Sequence, residues 1–173
     1  MKKLFFVMIF LLVNLEASVD KTKDLIFNIA KTYASVVACD TTFEVNDGSK
    51  NMNNIIFFSK DGEEEVYLVL WGGDVGCEGG SGTSSFYLSE ISRYSSYRPF
   101  LLKNINVLNV LNINFRAILS VKKISDNFLE LVGLDYKEDD PNCCPSLKFK
   151  YIVKYENFSW KLIDKSLLET IKY

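Results

Sequence analysis

Between Asp20 and Val37 the apolar residues Leu25, Ile26, Ile29, Ala30, Tyr33, Ala34 and Val37 recur at steps of three and four. That spacing places them on one face of an α-helix. Asp20 or Thr22 can cap its start by accepting an unpaired backbone N–H. Strand-like, β-branched character takes over from Ala34 to Val45, so the pattern predicts a helix ending near Ser35 with a strand after it. Three further strands are predicted at Ile55–Ser59, Val66–Trp71 and Ser84–Arg93. The dipeptides Asp47-Gly48 and Asp61-Gly62 mark turns before and between the first two of these. In the last, Phe86, Leu88 and Ile91 are the residues expected to point inward.

The stretch Leu101–Phe115 interleaves Asn104, Asn106, Asn109, Asn112 and Asn114 with aliphatic residues. One such unit is too little for a leucine-rich solenoid, and the stretch reads as a connector with an irregular edge segment. Phe115–Ser125 and Phe128–Leu134 then form a predicted hairpin about Asp126-Asn127, and Lys148–Tyr155 with Phe158–Asp164 a second about Glu156-Asn157. Phe149, Tyr151, Val153 and Tyr155 alternate with Lys148, Lys150, Ile152 and Lys154, giving one buried and one wet face. Lys148, Lys150, Lys154, Lys161 and Lys165 are expected to line the wet face, where lysine discourages edge-to-edge aggregation. Ser166 and Glu169 have capping-box spacing, which predicts a short C-terminal helix. The expected fold is α+β: a mainly antiparallel, curved sheet of about seven or eight strands, with an N-terminal helix packed on it. There is no alternation of strand and helix to suggest a doubly wound nucleotide fold.

The chain opens with Lys2 and Lys3, an unbroken apolar run of ten from Leu4 to Val13, and a small residue at Ala17. This is the layout of a secretory signal peptide. A membrane-spanning helix needs roughly 20 apolar residues. Residues 1–17 are therefore expected to be a cleaved leader, and residues 18–173 a single domain in the periplasm or secreted beyond it, with no membrane span remaining. The net charge of −2 gives no reason to expect nucleic acid or an anionic lipid surface as a partner. Export makes disulfides the default for Cys39, Cys77, Cys143 and Cys144. Pairing the adjacent Cys143 and Cys144 demands a strained eight-membered ring. The expected frameworks instead tie Cys39 and Cys77 separately to that pair. A four-cysteine zinc site normally uses spaced pairs, so neither metal nor another cofactor is expected.

The chain contains no histidine. That excludes Ser-His-Asp and Cys-His catalysis and removes the commonest transition-metal ligand. What survives is carboxylate chemistry, a Ser-Lys pair, a tyrosine nucleophile, or calcium held by oxygens. Six of the nine glycines fall in Leu70–Thr83, LWGGDVGCEGGSGT. The stretch follows a strand but lacks the Lys-Ser/Thr ending of a phosphate loop, and no helix follows it to hold an anion. Ser81 has no lysine three residues on. The simplest reading is a set of backbone conformations that only glycine reaches easily, pinned by Cys77. A second unusual stretch, Asp135–Ser146, crowds Glu138, Asp139 and Asp140 before Cys143-Cys144. It lacks the DxDxDG spacing of a calcium loop. Disulfides joining the two stretches are expected to bring the four acids Asp74, Glu78, Asp139 and Asp140 to one side of the fold, and these four with Ser81 and Glu138 are the candidate binding residues.

The blocks GCEGGSGT (76–83) and DPNCCPS (140–146), with the early Cys39 and Trp71-Gly-Gly-Asp74, resemble a pattern in uncharacterised secreted or periplasmic bacterial proteins. The resemblance implies an exported bacterial protein with paired cysteines, and no activity. The expected function is a non-enzymatic exported domain that binds a protein or envelope component; an immunity or inhibitor protein is one concrete form. A histidine-independent carboxylate hydrolase of the envelope and a calcium-stabilised structural module are the alternatives.

Overall fold

The computed structural model describes residues 21–43, 52–61, 63–80, 82–113, 115–141 and 144–172. Helix α1 covers residues 21–37 and leads into the two-residue strand β1 (Ala38–Cys39). A 3-10 turn (Met52–Asn54) precedes β2 (Ile55–Asp61), β3 (Glu64–Val75), β4 (Ser85–Arg93) and β5 (Leu101–Asn104). The short helix α2 (Val107–Val110) follows, with Asn106 capping it by accepting the N–H of Leu108. β6 (Ala117–Ser125), β7 (Phe128–Asp135), β8 (Leu147–Glu156) and β9 (Ser159–Thr170) complete the chain.

The strands form two antiparallel sheets instead of one. The first has the order β1-β3-β4-β5, with β2 also on β3; the second is the meander β6-β7-β8-β9. Side-chain alternation along β3 explains why two sheets were needed. Val66 and Leu68 project to one side and pack with Leu88, Leu129, Leu131, Tyr151 and Val153 between the sheets. Tyr67, Val69 and Trp71 project to the other and pack against Ile26, Phe27, Ala30 and Ala34 of α1. The layers therefore run helix, sheet, sheet. The first sheet is covered on both faces, which is why β3 is buried almost throughout. It also puts Leu88 and Ile91 into different clusters. Each fully buried Leu, Ile or Phe contributes about 1.5–3 kcal/mol of apolar transfer.

Three expectations fail locally. Of the strand predicted for residues 34–45, the described part, 34–43, forms only β1, because α1 continues through residue 37; residues 44 and 45 lie outside the described residues. The capping-box residues Ser166 and Glu169 lie inside β9, opposite Lys150 and Lys148; pairing with the full length of β8 supplies the backbone hydrogen bonds that an isolated terminal helix turn would forgo. Lys165 leaves the basic strip: its register partner is the inward-facing Tyr151, and its ammonium lies 4.2 Å from the centre of the Phe149 ring.

Candidate functional site

The sulfur framework differs from the expected one. Cys39 is bonded to Cys77, with Cα atoms 5.2 Å apart. The cause is strand pairing: Cys39 lies opposite Asp74, and the N–H of Gly76 donates to the carbonyl of Val37 at 2.8 Å. No bridge therefore ties the glycine stretch to the second unusual stretch. Cys144 is disulfide-bonded, and Cys143 lies outside the described residues. Closing a loop of sequence separation 38 contributes about 4 kcal/mol in the chain-entropy model.

The two stretches nonetheless share one end of the molecule. Arg116 donates its Nη1 to the carbonyl of Ser84 beside the glycine turn, and its own N–H to the carbonyl of Leu134 at 2.8 Å. Within the glycine turn, Gly76, Gly79 and Gly80 have positive φ, a backbone shape glycine adopts without cost. Asp74 is buried and its Oδ2 accepts the N–H of Gly79 at 2.8 Å. Asp140 accepts the N–H of Lys137 at 2.8 Å and of Ser146 at 2.7 Å. The Lys137 N–H, followed by the Ser146 bonds, holds its carboxyl below the usual aspartate value. Both aspartates thus shape their own turns. Glu78, Glu138 and Asp139 are exposed, and Ser81 lies outside the described residues. Among the described residues no three His, Cys, Asp or Glu side chains come together as a set able to hold a metal, and no helix is long and apolar enough to cross a membrane.

The more distinctive chemistry lies at the opposite end, where the strand alternation that builds the inter-sheet core delivers two carboxylates to its margin. Glu64 shares the face of Val66 and Leu68; Glu90, opposite Leu68, shares that of Leu88. Both are buried, Glu90 to 1% exposure. Glu90 Oε2 accepts Asn104 Nδ2 at 2.6 Å and Trp160 Nε1 at 2.8 Å. Its Oε1 has no hydrogen bond and lies 3.8 Å from Lys103 Nζ. The same ammonium sits 3.3 Å from Glu64 Oε1, while Glu64 Oε2 is 3.5 Å from the hydroxyl of Tyr155. A register shift between β4 and β5 skips Lys103, and this bulge aims it at both acids.

Over Glu64 and Lys103 opens a cavity of about 660 Å³, walled by Ser92, Arg93, Tyr94, Arg98, Leu101 and Phe158 among others. Arg93 is held by Glu65 at 2.9 Å and stacks 4.4 Å from the Phe100 ring centre. Phe158 stands 5.4 Å from Lys103 Nζ, in the two-residue turn between β8 and β9. Asn157 and Phe158 there have φ of 52° and 58°. Such a turn prefers Asn-Gly, and a bulky residue at positive φ is strained. Strain of this kind, on an exposed aromatic at a cavity mouth, is characteristic of a working surface.

The inner oxygens of the two glutamates are at most about 7 Å apart, a spacing compatible with paired-carboxylate hydrolysis. The gap between them, however, holds an ammonium, and Glu90 does not line the cavity. The arrangement is an ion pair in which one ammonium is shared by two buried carboxylates. Sequence reasoning passed over these residues because the contributors, Glu64, Glu90, Lys103, Tyr155 and Trp160, are far apart along the chain. The available signal was Glu90 itself, a charge on the same alternating face as Phe86 and Leu88. No protein-family model matches the chain, and no curated protein or solved structure proves similar to it.

Proposed function

We propose that this protein is an exported, non-enzymatic domain that binds a protein or another envelope component through the cavity end of its sandwich. The observation that carries the reading is the exposed pair Tyr94 and Phe158 on the cavity wall, with Arg98 beside them and Tyr97 exposed in the same loop as Tyr94 and Arg98. Tyr97 is 96% exposed. Tyrosine and arginine dominate binding hot spots, because they bring large contact area and hydrogen bonds at small entropic cost. An immunity or inhibitor protein is one form this function takes. The apolar run at residues 4–13 and the Cys39–Cys77 bridge support an oxidising destination outside the cytoplasm.

The test is capture of a stoichiometric partner from envelope extract, followed by affinity measurement with variants. Tyr97→Ala and Arg98→Glu are each expected to weaken binding by about 30-fold or more, and Glu78→Ala and Asp139→Ala to leave it intact. Phe158→Gly is the sharper variant. It removes the strained aromatic, so Tm rises by about 2–4 °C, while partner affinity falls. Retention of full affinity by all three cavity-end variants would overturn the proposal. So would hydrolysis of an envelope polymer that Glu64→Gln abolishes, which is the outcome the carboxylate-hydrolase reading requires.

A further inference from the structure

We propose that β9 is the seam of a symmetric dimer, in which two copies of this chain pair their β9 strands antiparallel and join their four-stranded sheets into one. Among the described residues β9 is the edge of the second sheet, paired with β8 alone, and it runs for 12 residues. It is exposed along most of its length, including Leu162, Ile163, Leu167 and Leu168. An edge so long and so apolar is a template for another strand unless something covers it.

The occupant is read from the strand's own sequence. Antiparallel pairing of two identical strands about a two-fold axis at Lys165 sets residues equally distant from 165 against each other. Asp164 then faces Ser166, Ile163 faces Leu167, Leu162 faces Leu168, and Lys161 faces Glu169. Polar thus meets polar, apolar meets apolar, and base meets acid, each pair occurring twice as an isologous interface requires. Directly opposed pairs of this kind are what stabilise and register antiparallel strands. The β8 pairing supports the charge match: Lys161 and Glu169 lie opposite Lys154 and Lys148, so both project from the outer face. The two positions skipped in the β8–β9 ladder, Ile163 and Leu168, each fall opposite a leucine of the other copy. The one self-contact is Lys165 with Lys165. That ammonium is turned back over its own sheet, 4.2 Å from the Phe149 ring centre and 5.3 Å from that of Tyr151, away from the seam. The paired residues 161–169 do not line the cavity, so the proposal stands independently of the one above.

The purified protein is examined by sedimentation over a wide concentration range, with thermal unfolding as the folding control. A concentration-dependent rise to twice the monomer mass is expected. Leu168→Lys and Glu169→Lys should each weaken association at least tenfold. Adding Lys161→Glu to Glu169→Lys should restore it. No intrachain effect produces that rescue, since the pair of changes sets residue 161 against Glu156 and residue 169 against Lys148, their present partners. Lys165→Cys should yield a covalent dimer without reductant, and Ser159→Cys should not. A mass that stays monomeric up to about 1 mM overturns the proposal and leaves the edge to a strand of a different protein. A dimer indifferent to these substitutions overturns it equally, because the copies then meet elsewhere.

Discussion

Gly133→Ala tests whether the junction of the second sheet is packed as tightly as its geometry implies. Gly133 lies on β7 opposite Ile118 and Phe149. A methyl group added there would stand 2.5 and 2.6 Å from the Cδ1 and Cγ atoms of Phe115 and 2.7 Å from the carbonyl oxygen of Ala117. Carbon atoms in normal contact lie about 3.5–4.0 Å apart, so the ring must retreat by about 1 Å. It has little room. Phe115 is buried and meets the Tyr151 ring edge-on, with centroids 5.0 Å apart. Overpacking of this kind costs about 1–3 kcal/mol, and the backbone oxygen, which moves less readily than a side chain, places this site at the upper end. Replacing glycine also restricts the unfolded chain, which offsets about 0.4–1 kcal/mol. The expected net loss is about 2 kcal/mol. Urea unfolding followed by Trp71 and Trp160 fluorescence should show a lower midpoint with an unchanged slope. Phe115→Ala alone should cost about 3–5 kcal/mol, but in the Gly133→Ala background the two losses should fall short of additivity by about 1 kcal/mol or more. A Gly133→Ala variant within about 0.5 kcal/mol of the parent, or strict additivity, would refute the packing argument.

Lys103→Met removes the ammonium shared by Glu64 and Glu90. Allowing for the partial exposure of Lys103, the loss at pH 7 should be about 2–3 kcal/mol, measured by urea unfolding; a variant within about 0.5 kcal/mol of the parent would contradict the charge pairing. Asp140 is held below its ordinary pKa by the Lys137 and Ser146 N–H groups. The folded state therefore binds its proton more weakly than the unfolded one. This contribution is fully present above about pH 4 and is lost as pH falls through the depressed value. The protection factors of the Lys137 and Ser146 amides, taken against the intrinsic exchange rate at each pH, should fall in that window, and Asp140→Asn should remove the dependence; identical profiles in the two proteins would sink this account.

The residues that were easy to read are those whose environment is set by near neighbours in sequence. The helical face of α1 and the alternation of Phe149, Tyr151, Val153 and Tyr155 in β8 are local periodicities, and the buried residues Ala30, Ala34, Tyr151, Val153 and Tyr155 fall where they predict. The hairpins β6-β7 and β8-β9 were legible for the same reason. Ser166-Leu-Leu-Glu169 was misleading because a capping box is only a local preference. It is worth about 1 kcal/mol, against several backbone hydrogen bonds along β8.

By itself, then, the sequence determined the antiparallel strand content, the packing helix, and the absence of histidine-based chemistry, because composition and short-range periodicity survive any arrangement of the elements. Tertiary structure alone decided that the strands divide into two sheets, that Cys39 bonds to Cys77, and that Glu64, Glu90 and Lys103 meet beneath a cavity ringed by Tyr94, Arg98 and Phe158. Each of these depends on which strand lies beside which. That choice is made by burying both faces of β3 at once, a requirement of the whole fold that no single segment carries.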